Sequence, residues 1–168
     1  MLTASALRPD LPGVVPAEVL ILGAGMLLII VLMHGAGLDW IVERYKHRSE
    51  IMLSRGRHPR LAAAIFAGAI LFMLFLHISE ACFWGLVLHW VGLISNLRDS
   101  IYFSANTYTT IGYGSMILPE NWRELSPIMA ISGLFTFAWT TGEMFNVVRA
   151  HHDLVAQLST RRRKGSTV

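Results

Sequence analysis

The chain has 168 residues, of which 54% are hydrophobic and only 15% are charged. Soluble domains carry about 25% charged residues, so this composition excludes a disordered chain and argues against a water-soluble enzyme. The single cysteine, Cys82, excludes an intrachain disulfide framework and a metal site built from cysteines alone. The formal charge is +3, so the positions of the charges tell more than their sum.

Three stretches of the chain contain no Asp, Glu, Lys or Arg: residues 19–38, 61–79 and 125–142. Each is close to the length of about 20 residues that a helix needs to cross a bilayer core ~30 Å thick. After the second stretch the only charge before Arg98 is Glu80, and we expect that helix to end near His89 and Trp90, since Trp favours the membrane interface. The sequence therefore predicts transmembrane helices over residues 17–38, 61–90 and 126–148.

The basic residues are unevenly distributed. Eleven of the 14 Lys and Arg residues lie in a predicted loop over residues 39–60 and in a tail over residues 149–168. The positive-inside rule puts both in the cytoplasm and the segment 1–16 outside, which agrees with an odd number of spans. A cleaved signal peptide would leave the most basic loop outside, so we favour a multi-pass protein of the inner (plasma) membrane.

A short helix is predicted over residues 99–108, because Asp99 and Ser100 are N-cap residue types. Gly112 and Gly114 follow in residues 109–114, and glycine readily adopts left-handed backbone. Alternating ordinary and left-handed residues point successive carbonyl groups the same way. Four such segments around one axis would replace the hydration shell of a cation with rings of carbonyl oxygens. One chain supplies one segment, so the ring requires an oligomer.

Residues 107–114 read TYTTIGYG and match the pattern T-x-x-T-x-G-Y-G at every fixed position. With this motif between two apolar spans, residues 61–148 resemble the pore domain of prokaryotic potassium channels of the ion channel 2-type family. The resemblance implies an all-α membrane protein with three transmembrane helices, a re-entrant pore helix and a selectivity-filter loop. It also implies a homotetramer that conducts K⁺ passively, with no enzymatic activity and no cofactor other than the permeant ion.

The resemblance also assigns roles to single residues. It implies K⁺ coordination by filter residues, which are Thr110, Ile111, Gly112 and Tyr113, with Gly114 completing the filter. It implies support from neighbouring side chains: Tyr102 and Phe103 as an aromatic cuff around Tyr113, together with Asn106, Thr107 and Ser115. Many relatives have Asp at the position of Ser115 and Glu at that of Asn106, so we expect a neutral contact here in place of a buried carboxyl pair.

His77 and Glu80 are three residues apart and lie on one face of the second predicted span. An ionisable residue within a span is costly and is a functional candidate by default. Three interpretations stay open. Glu80 bonds His77 or Trp84 and braces the contact between subunits, or the pair senses protons because His titrates near neutral pH, or both belong to a metal site.

The last predicted span carries the candidates for the pore lining and the gate: Gly133, Phe137, Thr141, Gly142, Glu143 and Phe145. The two glycines either bend the helix or allow close packing. Glu143 either concentrates cations near an inner cavity or forms an ion pair with Arg149 or with the basic loop 39–60.

The basic clusters beside the spans predict anionic lipid as a partner, and no nucleic acid is expected. Their members are Arg44, Lys46, Arg48, Arg161, Arg162, Arg163 and Lys164. Three other functions compete with a potassium channel: a weakly selective cation channel, for which Ser115 is the argument, a non-conducting sensor with a filter-like fold, and a membrane metalloenzyme. The metalloenzyme would use His34, His77, Glu80, His89, His151 and His152, which the predicted topology distributes over both sides of the membrane.

Overall fold

Helices make up most of the chain. The computed structural model describes residues 15–55 and 59–165. In chain order, α1 covers Ala17–Arg55, α2 Pro59–Trp90, α3 Leu97–Tyr108 and α4 Leu125–Gly165, with one 3-10 turn at Glu120–Trp122 between α3 and α4. No strand occurs within these described ranges, so the fold is all-helical, as the sequence predicts.

Helix α1 is much longer than the predicted span 17–38, and the predicted loop 39–60 is wrong as far as Arg55. Residues 39–55 contain no Gly or Pro to stop the helix. Ile41, Tyr45 and Met52 recur on one face of this extension and are buried, because they pack against α2 and α4. Residues 56–58, and residues 1–14 of the predicted outer segment, lie outside the described chain.

Helix α4 also runs beyond its predicted end at residue 148 and continues through the predicted tail to Gly165. Leu154 and Leu158 are buried in this extension and pack in one cluster with Met52 and Ala62. The Arg161 guanidinium donates to the carbonyl oxygen of Leu53. The ends of α1 and α4 therefore form a helical layer beyond the apolar spans. The side chains of Arg162, Arg163 and Lys164 lie outside the described part.

Among the described helices, α1 and α2 are long and apolar enough to cross a membrane. Helix α4 does not meet that criterion, because residues such as Ser126, Ser132 and Thr136 lower the hydropathy of its first half. The third transmembrane span, over residues 126–148, stays a prediction.

Helix α3 begins at Leu97, two residues before the predicted start. The N-cap is Asn96, whose side-chain oxygen accepts hydrogen bonds from the backbone N–H groups of Arg98 and Asp99 at 2.9 and 3.4 Å. Ser100, a predicted cap residue, instead donates its buried hydroxyl to the carbonyl of Gly85 at 2.7 Å. This bond fastens α3 to α2.

Gly133 is a close-packing residue and not a residue of an open pore surface in this chain. It is buried, and a Cβ atom there would overlap the carbonyl oxygen of Tyr108 at the end of α3. Gly142 has open space around its Cα. The helix runs unbroken through both glycines, so of the two sequence-based interpretations the packing of Gly133 favours close contact.

We expect Gly133→Ala to destabilise the fold by about 1–3 kcal/mol, because the added methyl group meets backbone that cannot turn away. Thermal unfolding of the purified protein in detergent measures the change. Gly142→Ala is the matched control and should leave the unfolding temperature unchanged or slightly raised. Equal unfolding temperatures for Gly133→Ala and the unmodified chain would contradict this packing.

Candidate functional site

The segment after α3 has an alternating backbone. Helix α3 ends at Tyr108, and Thr109 caps it with a backbone N–H directed at the Ala105 carbonyl. Thr110, Gly112 and Gly114 then have positive φ angles of 60°, 62° and 150°. Every second residue from 110 to 114 therefore has a left-handed backbone conformation. Thr110 is the one non-glycine residue with positive φ in the described chain. A threonine in this conformation is strained.

The alternation turns the N–H groups of the segment back towards α3. The backbone N–H groups of Ile111 and Gly112 both donate to the carbonyl oxygen of Asn106, at 2.9 and 3.2 Å. Among the described residues, the carbonyls of Thr110, Ile111 and Gly112 accept no hydrogen bond. The carbonyl of Tyr113 accepts one from the Tyr102 hydroxyl at 3.3 Å. Three successive carbonyl oxygens are thus free to contact an ion.

The same segment is open to its surroundings in the single chain. Residues 109–117 are all exposed, and the apolar side chains of Ile111 and Tyr113 are 67% and 75% exposed. An apolar segment this exposed marks an interaction surface.

The side chains predicted to support the segment are placed differently from one another. Asn106 donates its amide to the Tyr102 carbonyl at 2.8 Å, one turn back along α3. No hydrogen bond joins Asn106 and Ser115 among the described residues, and the expected neutral contact between them stays a prediction. Phe103 is buried in the core cluster, and Thr107 contributes its carbonyl to the N–H of Thr110. The aromatic cuff around Tyr113 stays a prediction.

A closed ring of hydrogen bonds lies behind this segment and joins all four helices. One carboxyl oxygen of Glu80 on α2 lies 2.8 Å from His34 Nδ1 of α1, and the other accepts from the Tyr108 hydroxyl at 2.5 Å. The Tyr108 oxygen lies 3.2 Å from His77 Nδ1. His77 Nε2 and His34 Nε2 both meet the hydroxyl of Thr140 on α4, at 2.9 and 3.0 Å. All five side chains are buried.

The number of protons in the ring fixes its net charge. Five contacts need one proton each, and the five side chains carry five such protons in their neutral forms. A ring with every bond made therefore has no net charge, whether Glu80 is ionised opposite one imidazolium or is itself protonated. A neutral, fully bonded group avoids most of the cost of placing charge in an apolar interior.

The ring refines the three interpretations of His77 and Glu80. The interpretation that Glu80 bonds Trp84 is wrong, since the Trp84 indole donates to Ser132 on α4 at 3.1 Å. His77 does lie near Glu80, with 3.7 Å between Nδ1 and Oε2, but the partners that bond the carboxyl group are His34 and Tyr108. The pair thus braces contacts between helices within one chain.

His34, His77 and Glu80 are also the residues that could hold a metal ion, because one ligand atom from each lies within 4.8 Å of the others. The predicted topology separated His89 from His151 and His152, and the structure adds His34 as a third possible ligand beside His77 and Glu80. The remaining candidates lie elsewhere. His89 bonds the carbonyl of Ile94 at the C-terminal end of α2, and His151 and His152 lie on the extension of α4.

His151 has a packing role at that extension. Its ring stacks on Phe66 with 4.4 Å between centroids, and its Nδ1 lies 3.2 Å from the Tyr45 hydroxyl. Burial lowers the pKa of His151 below the usual imidazole value, and the neighbouring His152 lowers it further. A neutral imidazole can accept a hydrogen bond from the Tyr45 hydroxyl at Nδ1.

Most of the predicted pore-lining residues lie on an exposed part of α4. Phe137, Thr141, Gly142 and Phe145 are exposed, although the Phe137 ring also stacks on His77 with 4.3 Å between centroids. Glu143 accepts from the Asn146 amide at 3.2 Å. An ion pair between Glu143 and Arg149 does not occur among the described residues.

Sequence reasoning missed two members of the ring, Tyr108 and Thr140, and named His34 only as a metal ligand of the competing metalloenzyme. His34 lies inside a stretch selected for lacking Asp, Glu, Lys and Arg, and a histidine in a membrane span is itself a signal. Tyr108 occupies a variable position of the motif. Thr140 is one of several polar residues in the last predicted span. No sequence signal links them.

Two apolar helices of membrane-spanning length, followed by a short helix and a segment of free carbonyl groups, define a membrane protein of the ion-channel class. An ion-channel family model matches residues 61–150, just over half of the chain, and the chain belongs to this family. Its function is accordingly passive ion conduction, as the sequence predicts in outline. Neither curated proteins nor solved structures gave a match.

We expect Tyr108→Phe to destabilise the protein by about 1–3 kcal/mol, because it removes two of the five ring contacts and leaves Glu80 with an unpaired oxygen. The measurement is thermal or denaturant unfolding in detergent. Tyr102→Phe is the matched control: it removes an exposed hydroxyl with one long bond, and its stability should stay within about 0.5 kcal/mol of the unmodified chain. Similar losses in both variants would contradict a special role of the ring.

Proposed function

We propose that the chain forms a homotetrameric potassium channel in which residues 110–114 of four subunits surround the ion pathway. The observation that carries the proposal is the left-handed backbone at every second residue, Thr110, Gly112 and Gly114. Among residues 15–55 and 59–165, this alternation leaves the carbonyls of residues 110–112 without a hydrogen-bond donor. Rings of such carbonyls are the chemistry by which a pore replaces the water around K⁺.

The exposure of the filter supports the tetramer. A single chain leaves residues 109–117 exposed, and irregular backbone at membrane depth is tolerated only inside protein or along a water-filled pore. Symmetric copies would cover the exposed faces of Ile111 and Tyr113 and bring four sets of carbonyls together. Phe137, Thr141 and Phe145 on α4 would then line the inner pathway, with Glu143 drawing cations towards it.

The proposed location is the inner (plasma) membrane, with residues 1–16 outside and the extended ends of α1 and α4 in the cytoplasm. The support is the charge distribution, since the basic residues cluster in those extensions.

We propose that the hydrogen-bond ring positions the filter. Its members are His34, Glu80, Tyr108, His77 and Thr140. Tyr108 is the last residue of α3, and the filter begins two residues later. Anchoring its hydroxyl to Glu80 and to Thr136, at 2.5 and 2.6 Å, fixes the end of the pore helix. Asn106 is neutral and supplies no buried carboxyl group next to the filter. In this proposal the supporting carboxyl group is that of Glu80, which acts through Tyr108.

The competing proposal is a weakly selective cation channel. It rests on Ser115, which forms no hydrogen bond with Asn106 among the described residues, so the outer end of the filter is less constrained. Selectivity measurements separate the two proposals.

Gly112→Ala should abolish or scramble selectivity, because a Cβ atom disfavours the φ angle of 62° by about 1 kcal/mol in each of four subunits. The test is ion flux in liposomes with K⁺ or Na⁺ as the only permeant gradient. We expect the unmodified chain to pass K⁺ far better than Na⁺, with block by Ba²⁺. Gly25→Ala, a helical glycine with open space around it, should behave like the unmodified chain. Equal K⁺ and Na⁺ flux in the unmodified chain would favour the weakly selective channel.

His34→Ala should lower the ratio of K⁺ to Na⁺ flux in protein that still assembles, because the ring loses its contact with α1 and Tyr108 is less firmly held. His47→Ala, which removes an exposed histidine from the same helix, is the control and should retain the ratio. Unchanged selectivity in His34→Ala would contradict the proposal that the ring positions the filter. Stoichiometric zinc in the purified protein, lost in His34→Ala but kept in His47→Ala, would replace the ring by a metal site.

A further inference from the structure

A groove of about 300 Å³ lies between α1 and α2, at the end of both apolar stretches. Its polar side is formed by Arg44 and Arg48 of α1, and its apolar side includes Trp40, Gly68 and Phe72. The charge-free stretch of α1 ends at residue 38 and that of α2 begins at residue 61. The two arginines therefore lie where apolar surface gives way to polar surface, which is the level of lipid headgroups in a membrane.

Two guanidinium groups lie on the α1 wall of the groove. Arg44 and Arg48 are four residues apart and share a face of α1. Both are exposed, and within residues 15–55 and 59–165 neither forms an ion pair with a carboxylate. Arg44 lies over the Trp40 ring, with 5.4 Å from its Cζ to the ring centroid. Guanidinium groups match phosphate oxygens in a bidentate geometry.

The rest of the groove suits a hydrocarbon chain. Gly68 is exposed, and a Cβ atom there would meet nothing within 4 Å. The α2 wall of the groove is otherwise apolar and includes Leu61, Ala64 and Phe72. A ligand that fills the whole groove is thus an amphiphile with an anionic head and an apolar tail.

We propose that this groove binds one anionic phospholipid, with its phosphate at Arg44 and Arg48 and the start of an acyl chain along Gly68 and Phe72. The proposal depends only on the membrane location of the chain and not on its ion selectivity. Of the seven basic residues predicted to contact anionic lipid, the proposal assigns the phosphate contact to two arginines. Lys46 lies between them in sequence but does not line the groove.

Trp40 provides a direct probe, since bromine on a lipid acyl chain quenches a nearby indole. The full chain is reconstituted in phosphatidylcholine vesicles containing increasing fractions of brominated phosphatidylglycerol or, separately, brominated phosphatidylcholine. The difference between the unmodified chain and Trp40→Phe isolates the signal of Trp40 from the other four tryptophans. We expect half-maximal quenching of Trp40 at a several-fold lower fraction of the anionic lipid.

The variants test the two halves of the site. Arg44→Gln with Arg48→Gln should remove the preference for the anionic lipid, and Lys46→Gln, with an exposed charge removed from the same helix, should keep it. Gly68→Leu should weaken quenching by both lipids, because its side chain fills the groove. Equal quenching by the two lipids, or an equal loss of preference in Lys46→Gln, would overturn the proposal. The second outcome would assign the preference to the general positive charge of the surface.

Discussion

The arrangement of the four helices depends on a closed ring of five hydrogen bonds in an apolar interior. Each helix supplies at least one member, and each member would be costly to bury without its partners. The ring has no net charge when all its bonds are made, so the protein gains directional contacts without placing an unpaired charge among apolar side chains. Because every link must be close to 3 Å, the ring fixes where α1 and α4 lie relative to the end of α3.

This constraint gives α1 two separate tasks. His34, midway along the helix, joins the ring, so α1 is linked to the end of α3 through Glu80 and Tyr108. The polar extension of the same helix carries Arg44 and Arg48 beside an open groove. A lipid bound there would contact the same two helices that contribute His34 and Glu80 to the ring.

The proposed filter segment, residues 110–114, takes its backbone conformation within one chain. The Asn106 carbonyl collects two backbone N–H groups, and this single acceptor orients the segment so that its own carbonyls stay free. Free carbonyls and exposed apolar side chains are unfavourable for an isolated subunit. In the proposed tetramer, an ion would contact the carbonyls and other copies would cover the apolar side chains. The local backbone geometry and the assembly are therefore proposed together.

The sequence by itself determined the local features: apolar stretches of membrane-spanning length, the left-handed glycines of the filter motif, and an ion-channel family. These depend on composition and on neighbours within a few residues. Only the tertiary structure decided that His34 meets Glu80 across 46 positions and Thr140 across 106. It also decided that Gly133 packs on Tyr108, and that burial of Met52, Leu154 and Leu158 extends both long helices. The reason is that a hydrogen-bond ring and a packed face are chosen by which helices touch, and no periodicity within one helix encodes its partner.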